Sequence, residues 1–173
     1  MSNIREKIST LLPEAVIEDG DIMQVTVPDA KWHDFAKTLR DDADLSFDFL
    51  VTIVGMDWKD SGMGCVYYFT STKFNTHISV KVMAGGDREC PLIHSIFDLW
   101  AIATVFEREV YDFFGIIFIN NPDMRRLFLN IDWKGYPLRK DYDDDPNLNP
   151  VSTENERQTD FTDVWTETPD GKV

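Results

Sequence analysis

Apolar residues in the first quarter of the chain repeat at the spacing of a helix, then of a strand, then of a helix again. Apolar residues three and four positions apart predict a helix from Ser2 to Leu12, and Pro13 ends this helix. Alternating apolar residues predict a strand from Ile22 to Val27. Helical spacing returns after Asp29, which we expect to cap a second helix. The apolar face of that helix consists of Trp32, Phe35, Ala36 and Leu39.

The middle of the chain has the alternation and composition of β-strands. One strand is predicted by the alternating residues Phe47, Phe49, Val51 and Ile53. A hairpin is predicted by Val66 to Thr70, a turn over Ser71 to Asn75, and a strand over Thr76 to Ala84. The inward residues of its second strand are Ile78, Val80 and Val82. Gly85, Gly86 and Asp87 end that strand.

A long helix is predicted from about Leu92 to a left-handed cap at Gly115. Its apolar positions, at steps of three and four, include Leu99, Ile102, Phe106, Val110 and Phe113. Strands that follow one another directly favour antiparallel pairing. The sequence therefore predicts an α+β fold, with an antiparallel or mixed β-sheet packed with helices.

The composition narrows the class of protein. With 43% hydrophobic and 13% aromatic residues, the chain has enough apolar surface for a folded core. A net charge of −14 disfavours nucleic-acid binding and favours basic protein surfaces as partners. No run approaches the ~20 apolar residues of a membrane span. Because no secretory signal opens the chain, we expect a cytosolic protein with Cys65 and Cys90 as thiols.

The character of the chain changes after residue 142. Residues 143–173 carry nine acidic residues against Arg157 and Lys172, which leaves them a net charge of −7. Such a segment has too little apolar surface to fold alone. Phe161, Val164 and Trp165 nevertheless stand at helical spacing within it. We therefore divide the chain into a domain over 1–142 and an extended acidic arm over 143–173, in which Phe161 and Trp165 either dock on another surface or are stray aromatics of a solvated tail.

The run EREVYDFFGI, residues 107–116, concentrates charge on the long helix. Glu107 and Glu109 are two residues apart and point to different sides of a helix, which argues against a catalytic carboxylate pair. Arg108 and Asp112, four apart, are placed to form an ion pair. The helix is either an ordinary amphipathic helix with surface pairs or a docking helix whose charges meet those of a partner.

Other catalytic and metal-binding patterns fail on spacing. Asp141, Asp143 and Asp145 match the first ligands of a calcium loop, but Pro146 stands where glycine is required and Ser152 where glutamate is required. No nucleophile elbow occurs, and the three histidines lie on separate elements. We therefore expect no catalytic, cofactor-binding or metal-binding residue in this chain.

A basic segment follows the acidic helix. Asn121 and Pro122 suit the start of a short helix, and Lys134 to Pro137 suit a tight bend. The basic residues of this segment are Arg125, Arg126, Lys134, Arg139 and Lys140. Either the segment folds back onto Glu107, Glu109 and Asp112, or these are independent surface charges.

Three runs resemble a known family. EREVYDFFGI, NPDMRRL and GYPLRKDY occur in this order and resemble the signature of the C subunit of NADH–quinone oxidoreductase (respiratory complex I), the 30 kDa subunit family. The upstream runs FDFLVTIVGMDW and VYYFTSTKFNTHISVKV are also similar, so the resemblance covers about residues 45–142. Two positions depart from the family: Asn121 replaces a usual histidine or lysine, and Phe106 replaces a common tryptophan. The matching signature residues are Glu107, Arg108, Glu109, Asp112, Phe113, Phe114, Arg125 and Arg126.

The resemblance implies a non-catalytic subunit of the hydrophilic arm that binds no cofactor itself, with FMN and iron–sulfur clusters held by other subunits. Its partners would be the D subunit, which forms the quinone site, and the B and I subunits, which hold iron–sulfur clusters. Its place would be the cytoplasmic side of the cell inner membrane. Arg139 and Lys140 would contact these partners. Related subunits of F420H2 dehydrogenases and membrane-bound hydrogenases are an alternative, and a stand-alone carboxylate hydrolase is a further one.

Overall fold

The computed structural model describes residues 2–143, with the backbone alone for residues 2 and 3. The predicted arm over 143–173, with Phe161 and Trp165, therefore lies outside the described residues except for Asp143, and its boundary stays a prediction. Three α-helices are α1 (Ser2–Leu11), α2 (Asp29–Asp41) and α3 (Ala103–Phe114). The strands are β1 (Val16–Glu18), β2 (Met23–Pro28), β3 (Phe49–Asp57), β4 (Met63–Ser71), β5 (Thr76–Met83), β6 (Leu92–His94) and β7 (Ile117–Ile119).

Five strands form one mixed sheet in the order β1-β2-β5-β4-β3. All neighbours are antiparallel except β2 and β5, which pair in parallel. β6 and β7 form a separate parallel pair. The predicted α+β fold with helices on a mixed sheet is thus confirmed. In residues 2–143, no helix is long and apolar enough to cross a membrane.

The core forms where the predicted faces of α2 and β5 meet. Trp32, Phe35, Ala36 and Leu39 of α2 are all buried, as predicted from their spacing. The predicted hairpin is confirmed as β4 and β5, and Ile78, Val80 and Val82 are fully buried. Trp32 lies with its ring centroid 4.3 Å from that of Tyr67. Burial of such rings and aliphatic side chains, about 1.5–3 kcal/mol each, supplies most of the stabilisation of the domain.

The predicted helix start at Leu92 is wrong. Leu92–His94 forms β6, which pairs with β7, and α3 begins only at Ala103. β6 pairs with residues about 25 positions later in the chain. The periodicity of apolar residues gives no sign of such a distant contact. The C-terminal cap is confirmed: Gly115 adopts φ 71°, and its N–H donates to Tyr111 O at 2.8 Å.

The strand predicted from Phe47, Phe49, Val51 and Ile53 is found as β3, but only Phe47 and Ile53 of these four residues are buried. Phe49 and Val51 are 56% and 45% exposed, whereas Leu50 and Ile53 are buried. The register between β3 and β4 shifts between Leu50 and Thr52. Such a bulge inserts one unpaired residue and changes which positions face the core. Simple alternation through residues 47–53 was therefore wrong for Phe49 and Val51 and correct for Phe47 and Ile53.

Two predicted helix starts are corrected. The residue at the N-cap of α2 is Pro28, without a side-chain cap, while the Asp29 carboxylate accepts hydrogen bonds from His94 instead. No helix forms at Pro122, and residues 120–143 contain neither helix nor strand. Asn121 Oδ1 accepts a hydrogen bond from Asp123 N at 2.9 Å, which stabilises a turn. We call residues 120–143 the C-terminal segment.

Gly55 allows α3 to pack on β3. A Cβ atom at this position would lie 2.5 Å from Phe114 Cδ2 and 3.0 Å from Val110 Cγ1. We expect Gly55→Ala to lower the free energy of unfolding by about 1–3 kcal/mol, because α3 must move or repack. The measurement is urea unfolding of the purified chain. The control is Gly20→Ala, where the nearest atom would be an ordinary 3.5 Å away. Equal stabilities of the two variants would contradict the prediction.

Candidate functional site

Three acidic side chains are buried in the described part of the chain: Asp57, Glu107 and Asp112. We call them the anchor carboxylates. A buried ionised carboxylate is costly unless hydrogen bonds or cations satisfy it. Each of the three accepts hydrogen bonds from segments whose backbone groups are not paired in a β-sheet. Together they form the candidate functional site, because they determine how the C-terminal segment lies on the domain.

Asp112 holds the first part of the C-terminal segment. Its Oδ2 accepts three consecutive backbone N–H groups, from Leu127 at 3.1 Å, Phe128 at 2.6 Å and Leu129 at 2.9 Å. Its Oδ1 accepts from Arg126 Nη1 at 2.9 Å. Asp112 is fully buried at the side of α3 that faces this loop. One carboxylate thereby satisfies three backbone donors that no strand or helix pairs.

The pKa of Asp112 shows whether burial or hydrogen bonding has the stronger effect on its ionisation. Burial by itself raises the pKa of this carboxyl, because it disfavours the charged form. The backbone hydrogen bonds and the Arg126 guanidinium stabilise the charged form and together outweigh burial, so the pKa lies below its ordinary value. Asp112 is therefore ionised at neutral pH.

Arg126 connects Asp112 to the second half of the C-terminal segment. Its Nη1 also donates to Asp112 O at 2.9 Å, and its Nη2 donates to Trp133 O at 3.1 Å and Gly135 O at 3.0 Å. The side chain is 14% exposed. One guanidinium thus bridges a helix, a turn and a bend, which requires the planar set of donors that arginine has.

The free carbonyl groups at the end of α3 are satisfied by the C-terminal segment. A helix leaves its last four carbonyls without intrahelical partners. Leu138 N donates to Phe113 O at 3.1 Å, and Arg139 Nε donates to Phe114 O at 2.6 Å. The guanidinium groups of Arg126 and Arg139 lie 5.2 and 4.6 Å from the ring centroid of Tyr136. Basic groups at this end of a helix also interact favourably with its dipole.

Asp57 holds the end of the C-terminal segment. Its side chain accepts from Arg88 at 2.6 and 3.0 Å, and from the backbone N–H groups of Lys59 and Lys140, each at 2.8 Å. The Arg88 guanidinium and these amides hold the pKa of Asp57 well below its ordinary range, against the opposing effect of burial. Arg88 Nε also pairs with Asp141 at 2.6 Å. The end of β3, the loop after β5 and the C-terminal segment are thereby joined.

Glu107 is held by neutral donors. Ser95 Oγ and Asn121 Nδ2 donate to its Oε2 at 2.6 and 2.7 Å, and Ile96 N donates to its Oε1 at 3.0 Å. Among residues 2–143 no cation pairs with it. Burial raises the pKa of Glu107, and these hydrogen bonds only partly offset that effect. Asn121, a departure from the family pattern, therefore contacts Glu107 directly.

The predicted pair of Arg108 and Asp112 is wrong. Arg108 lies 3.4 Å from Asp123 and donates to the carbonyls of Arg125 and Arg126, each at 3.0 Å. Asp112 pairs with Arg126 instead, because it lies next to the loop that it anchors. The basic segment does fold back on α3, but it meets Asp112 and backbone carbonyls and does not form ion pairs with Glu107.

The remaining predicted residues differ in exposure. Glu109 is exposed, and no residue of 2–143 forms an ion pair with it. Arg125 is 79% exposed and pairs with Asp123, which lowers the pKa of Asp123 to about 2. Lys140 is exposed and lines a cleft of about 320 Å³ together with Lys59 and Arg88. The predicted partner role of Arg139 and Lys140 stays a prediction.

A polar cleft of about 480 Å³ lies between α2 and residues 94–98. His33 Nε2 lies 3.0 Å from the Asp98 carboxylate, and His94 Nδ1 lies 2.9 Å from Asp29 Oδ2. Ser95 lines the cleft, but its hydroxyl donates to Glu107. These contacts connect α2 to the segment before α3. Within residues 2–143, no group of three or more His, Cys, Asp or Glu is placed to hold a metal ion.

Sequence reasoning missed part of the site. It did not single out Asp57, Arg88, Ser95 or Tyr136. Asp57 ends an apolar strand, and an acid at the end of a buried strand is a signal that could have drawn attention to it. The contacts of Arg88 and Asp141 span 53 residues of sequence and leave no local signal.

The fold and site define a class of α+β protein in which buried acids fix an irregular C-terminal segment on one end of the sheet. Residues 25–147 match the family model described as the respiratory-chain NADH dehydrogenase, 30 Kd subunit. This match spans more than half of the sequence. The chain belongs to this family, as its signature residues indicated.

Curated relatives agree with this assignment. The chain is 43% identical over 150 residues to the C/D subunit of the NADH-quinone oxidoreductase of Phocaeicola vulgatus, covering 87% of this chain and 28% of the relative. It is 34% identical over 145 residues to the C subunit of the NADH-quinone oxidoreductase of Roseiflexus sp., covering 81% of this chain and 82% of the relative. The chain thus spans less than a third of the first relative and most of the second.

Two solved structures share the fold. A trypsin-resistant fragment (1-134) of Nqo5 matches with a TM-score of 0.60 and 25% identity, covering 70% of this chain and 97% of the fragment. A chain of the membrane-bound sulfane sulfur reductase, an archaeal respiratory membrane complex, matches with a TM-score of 0.73 and 24% identity. That match covers 99% of this chain and 98% of the other.

Asp112→Asn is expected to release the C-terminal segment. The amide cannot accept all four hydrogen bonds, and it leaves Arg126 partly buried without its counter-charge. We expect a loss of about 3–5 kcal/mol in the free energy of unfolding, measured with urea. Limited proteolysis should also find new cleavage within residues 122–142. Asp132→Asn, an exposed acid of the same segment, is the control and should change neither measurement. Matching results for both variants would contradict the role of Asp112.

Glu107→Gln tests the buried, unpaired carboxylate. Because the folded-state pKa of Glu107 lies above the ordinary value of 4.5, its ionisation opposes folding. Its contribution to stability is present below about pH 4.5 and is lost as pH rises through the folded-state pKa. The wild type should therefore lose stability relative to Glu107→Gln between pH 4.5 and 7, by at most about 1.4 kcal/mol per pH unit. Urea unfolding across that range measures the difference; a constant or opposite difference would refute the prediction.

Proposed function

We propose that this chain is a non-catalytic structural subunit in the peripheral arm of a proton-translocating NADH–quinone oxidoreductase. In that complex, electrons pass from NADH through iron–sulfur clusters to quinone. The chain contributes a rigid surface that holds the quinone-site subunit in place. Family membership supports the complex, and the geometry of the anchor carboxylates supports the structural role.

The contacts of Asp112 are the observation that carries the structural role. A catalytic carboxylate must be within reach of a substrate proton or bond. Asp112 is fully buried and directs both oxygens to four donors of its own chain. Asp57 and Glu107 are also directed to donors within the chain. The anchor carboxylates thus order a segment that has no regular structure of its own, so that it presents a defined surface.

The proposed partners are the D subunit, which forms the quinone site, and the B and I subunits, which hold iron–sulfur clusters. The relatives named C/D support the first of these, since they join a region similar to this chain with a longer remainder. FMN and the iron–sulfur clusters would belong to other subunits. Through the complex, the chain would lie peripherally on the cytoplasmic side of the cell inner membrane.

An equivalent subunit of a related complex is the second candidate. The fold is shared with a chain of the archaeal sulfane sulfur reductase complex, at a TM-score of 0.73. The same architecture therefore serves in a complex with a different name and a different reaction. In either complex, other subunits would determine the electron donor and acceptor. The affinity purification described next also distinguishes the two complexes.

Affinity purification from native membranes tests the proposal. A tagged chain expressed at its natural level should elute with membrane-associated subunits, with iron, and with flavin in fixed ratio to the chain. The eluate should oxidise NADH with quinone as acceptor, whereas the chain purified alone should not. An untagged strain is the control for background iron and flavin. Elution of the chain alone and free of iron, or turnover by the chain alone, would refute the structural role. Iron without flavin or NADH oxidation would favour the related complex.

A further inference from the structure

A loop of the C-terminal segment exposes two large apolar side chains to solvent. Ile131 is 93% exposed and Phe128 is 66% exposed, although most apolar residues of the domain are buried. Trp133 N donates to Asn130 O at 3.1 Å, which closes a β-turn with Ile131 at its first central position. A β-branched apolar side chain therefore stands at the tip of a turn. We call residues 127–135 the anchored loop.

Folding of the domain does not account for Ile131 at this position. Central positions of turns favour proline, glycine, asparagine, aspartate and serine, which supply the turn dihedrals or local hydrogen bonds. A side chain that is 93% exposed adds almost no buried apolar area to the domain. Single exposed apolar residues are common on protein surfaces and do not indicate a function by themselves. Ile131 differs from them in how firmly the loop beneath it is held.

Both sides of the anchored loop are fixed by one ion pair inside the domain. Asp112 Oδ2 accepts the backbone N–H groups of residues 127–129 on one side of the turn. Arg126 Nη2 donates to the carbonyls of Trp133 and Gly135 on the other side. Because Asp112 is fully buried and the Arg126 side chain is 14% exposed, little water competes for these bonds. The turn is therefore ordered before any partner binds, and a partner that covers it loses little conformational entropy.

The side chains of the anchored loop determine what kind of surface covers it. Ile131 has no hydrogen-bonding group in its side chain, so covering it is favourable only against an apolar surface. Phe128, three residues before the tip, adds an aromatic ring that is held by stacking on Phe113, with the ring centroids 5.9 Å apart. A projecting aliphatic side chain beside a fixed aromatic ring fits a concave apolar pocket, which is the usual form of an interface anchor.

Charge indicates that this pocket belongs to another protein. The exposed Asp132 stands next to Ile131, and with a net charge of −14 the chain is repelled by an anionic membrane surface. Two copies of the chain repel each other for the same reason. Residues 120–143 carry five basic and four acidic residues, whereas residues 1–119 carry ten basic and nineteen acidic residues. The anchored loop thus lies in a segment that does not repel an acidic partner as the rest of the domain does.

We propose that the anchored loop binds another subunit of the complex, with Ile131 inserted into an apolar pocket of that subunit and Phe128 at the edge of the pocket. This inference rests on the proposed function for the presence of a complex. It adds the element that makes the contact and the chemistry of the partner at that contact. The ion pair of Asp112 and Arg126 then has a purpose beyond the domain itself, because it holds the turn in the form that the partner receives.

Matched substitutions in the tagged full chain test the proposal in native membranes. Ile131→Asp places a carboxylate in the proposed pocket, whereas aspartate is common in turns, so the isolated chain should still fold. Ile22→Asp makes the same change of charge and size at another surface bend, where the side chain is 41% exposed. We expect Ile131→Asp to lower the iron recovered per chain at least about tenfold, because an unpaired charge would be buried. Ile22→Asp and the volume-conserving Ile131→Leu should stay close to the wild type.

Folding and contact are measured separately. Thermal unfolding of each purified variant shows whether a loss of recovery reflects a loss of folding. An aliphatic photo-crosslinking residue at position 131 in the otherwise wild-type chain should join a mainly apolar peptide of a protein that elutes in fixed ratio to the chain. Crosslinks to lipid, to a second copy, to another part of this chain or to a mainly charged peptide would overturn the proposal, as would the absence of any crosslink.

The outcomes separate this inference from the proposed function. If the wild type brings iron and Ile131→Asp brings as much, the anchored loop is not the interface and the structural role stands. If the wild type brings no iron, the proposed function fails. In that case, or if Ile131→Asp does not fold, crosslinking at position 131 still decides whether the loop enters an apolar pocket of another protein.

Discussion

The Asp112 carboxylate, which accepts three consecutive backbone N–H groups and one guanidinium, is the interaction on which the C-terminal segment depends. A segment of more than twenty residues without helix or strand must satisfy its polar backbone groups in some other way. Here one ionised group within the protein satisfies several of them at once. Burial opposes that ionisation, and the four hydrogen bonds outweigh burial, so removal of the charge would expose both the loop and the helix side beneath it.

The three anchor carboxylates act at different points but in the same manner. Glu107 fixes the turn at Asn121 together with the residues before α3, Asp112 fixes residues 126–129, and Asp57 fixes the end of the segment. Arg126 and Arg139 add the free carbonyls of α3 to the same network. Buried ionic contacts add little net stability, but they select one geometry. In the proposed role, in which the chain positions its neighbours in a complex, one fixed geometry matters more than additional stability.

The sequence predictions were correct for features that depend on contacts between residues a few positions apart, and they failed for features that depend on contacts between distant residues. The apolar face of α2, the β4–β5 hairpin and the cap at Gly115 were all predicted, since each follows from neighbours a few residues apart. β6 was mistaken for helix because its partner β7 lies beyond α3. The bulge in β3 reversed the exposure of Val51, and the pair of Arg108 and Asp112 was replaced by contacts to a loop 15 residues further on. Asp112 and Arg126 were found because they belong to the signature pattern, whereas Arg88, which stands in none of the matching runs, was missed.

The sequence by itself determined the local elements, the family and the residue types available to the site. Periodicity and turn chemistry act over a few residues, and the signature runs are short and contiguous. Only the tertiary structure decided which acids are buried and which donor each one accepts. Those choices depend on packing between distant segments: Asp57 meets Lys140, and Glu109, two positions from buried Glu107, remains exposed. The direction of a side chain on a helix is local, but what covers it is determined by the rest of the chain.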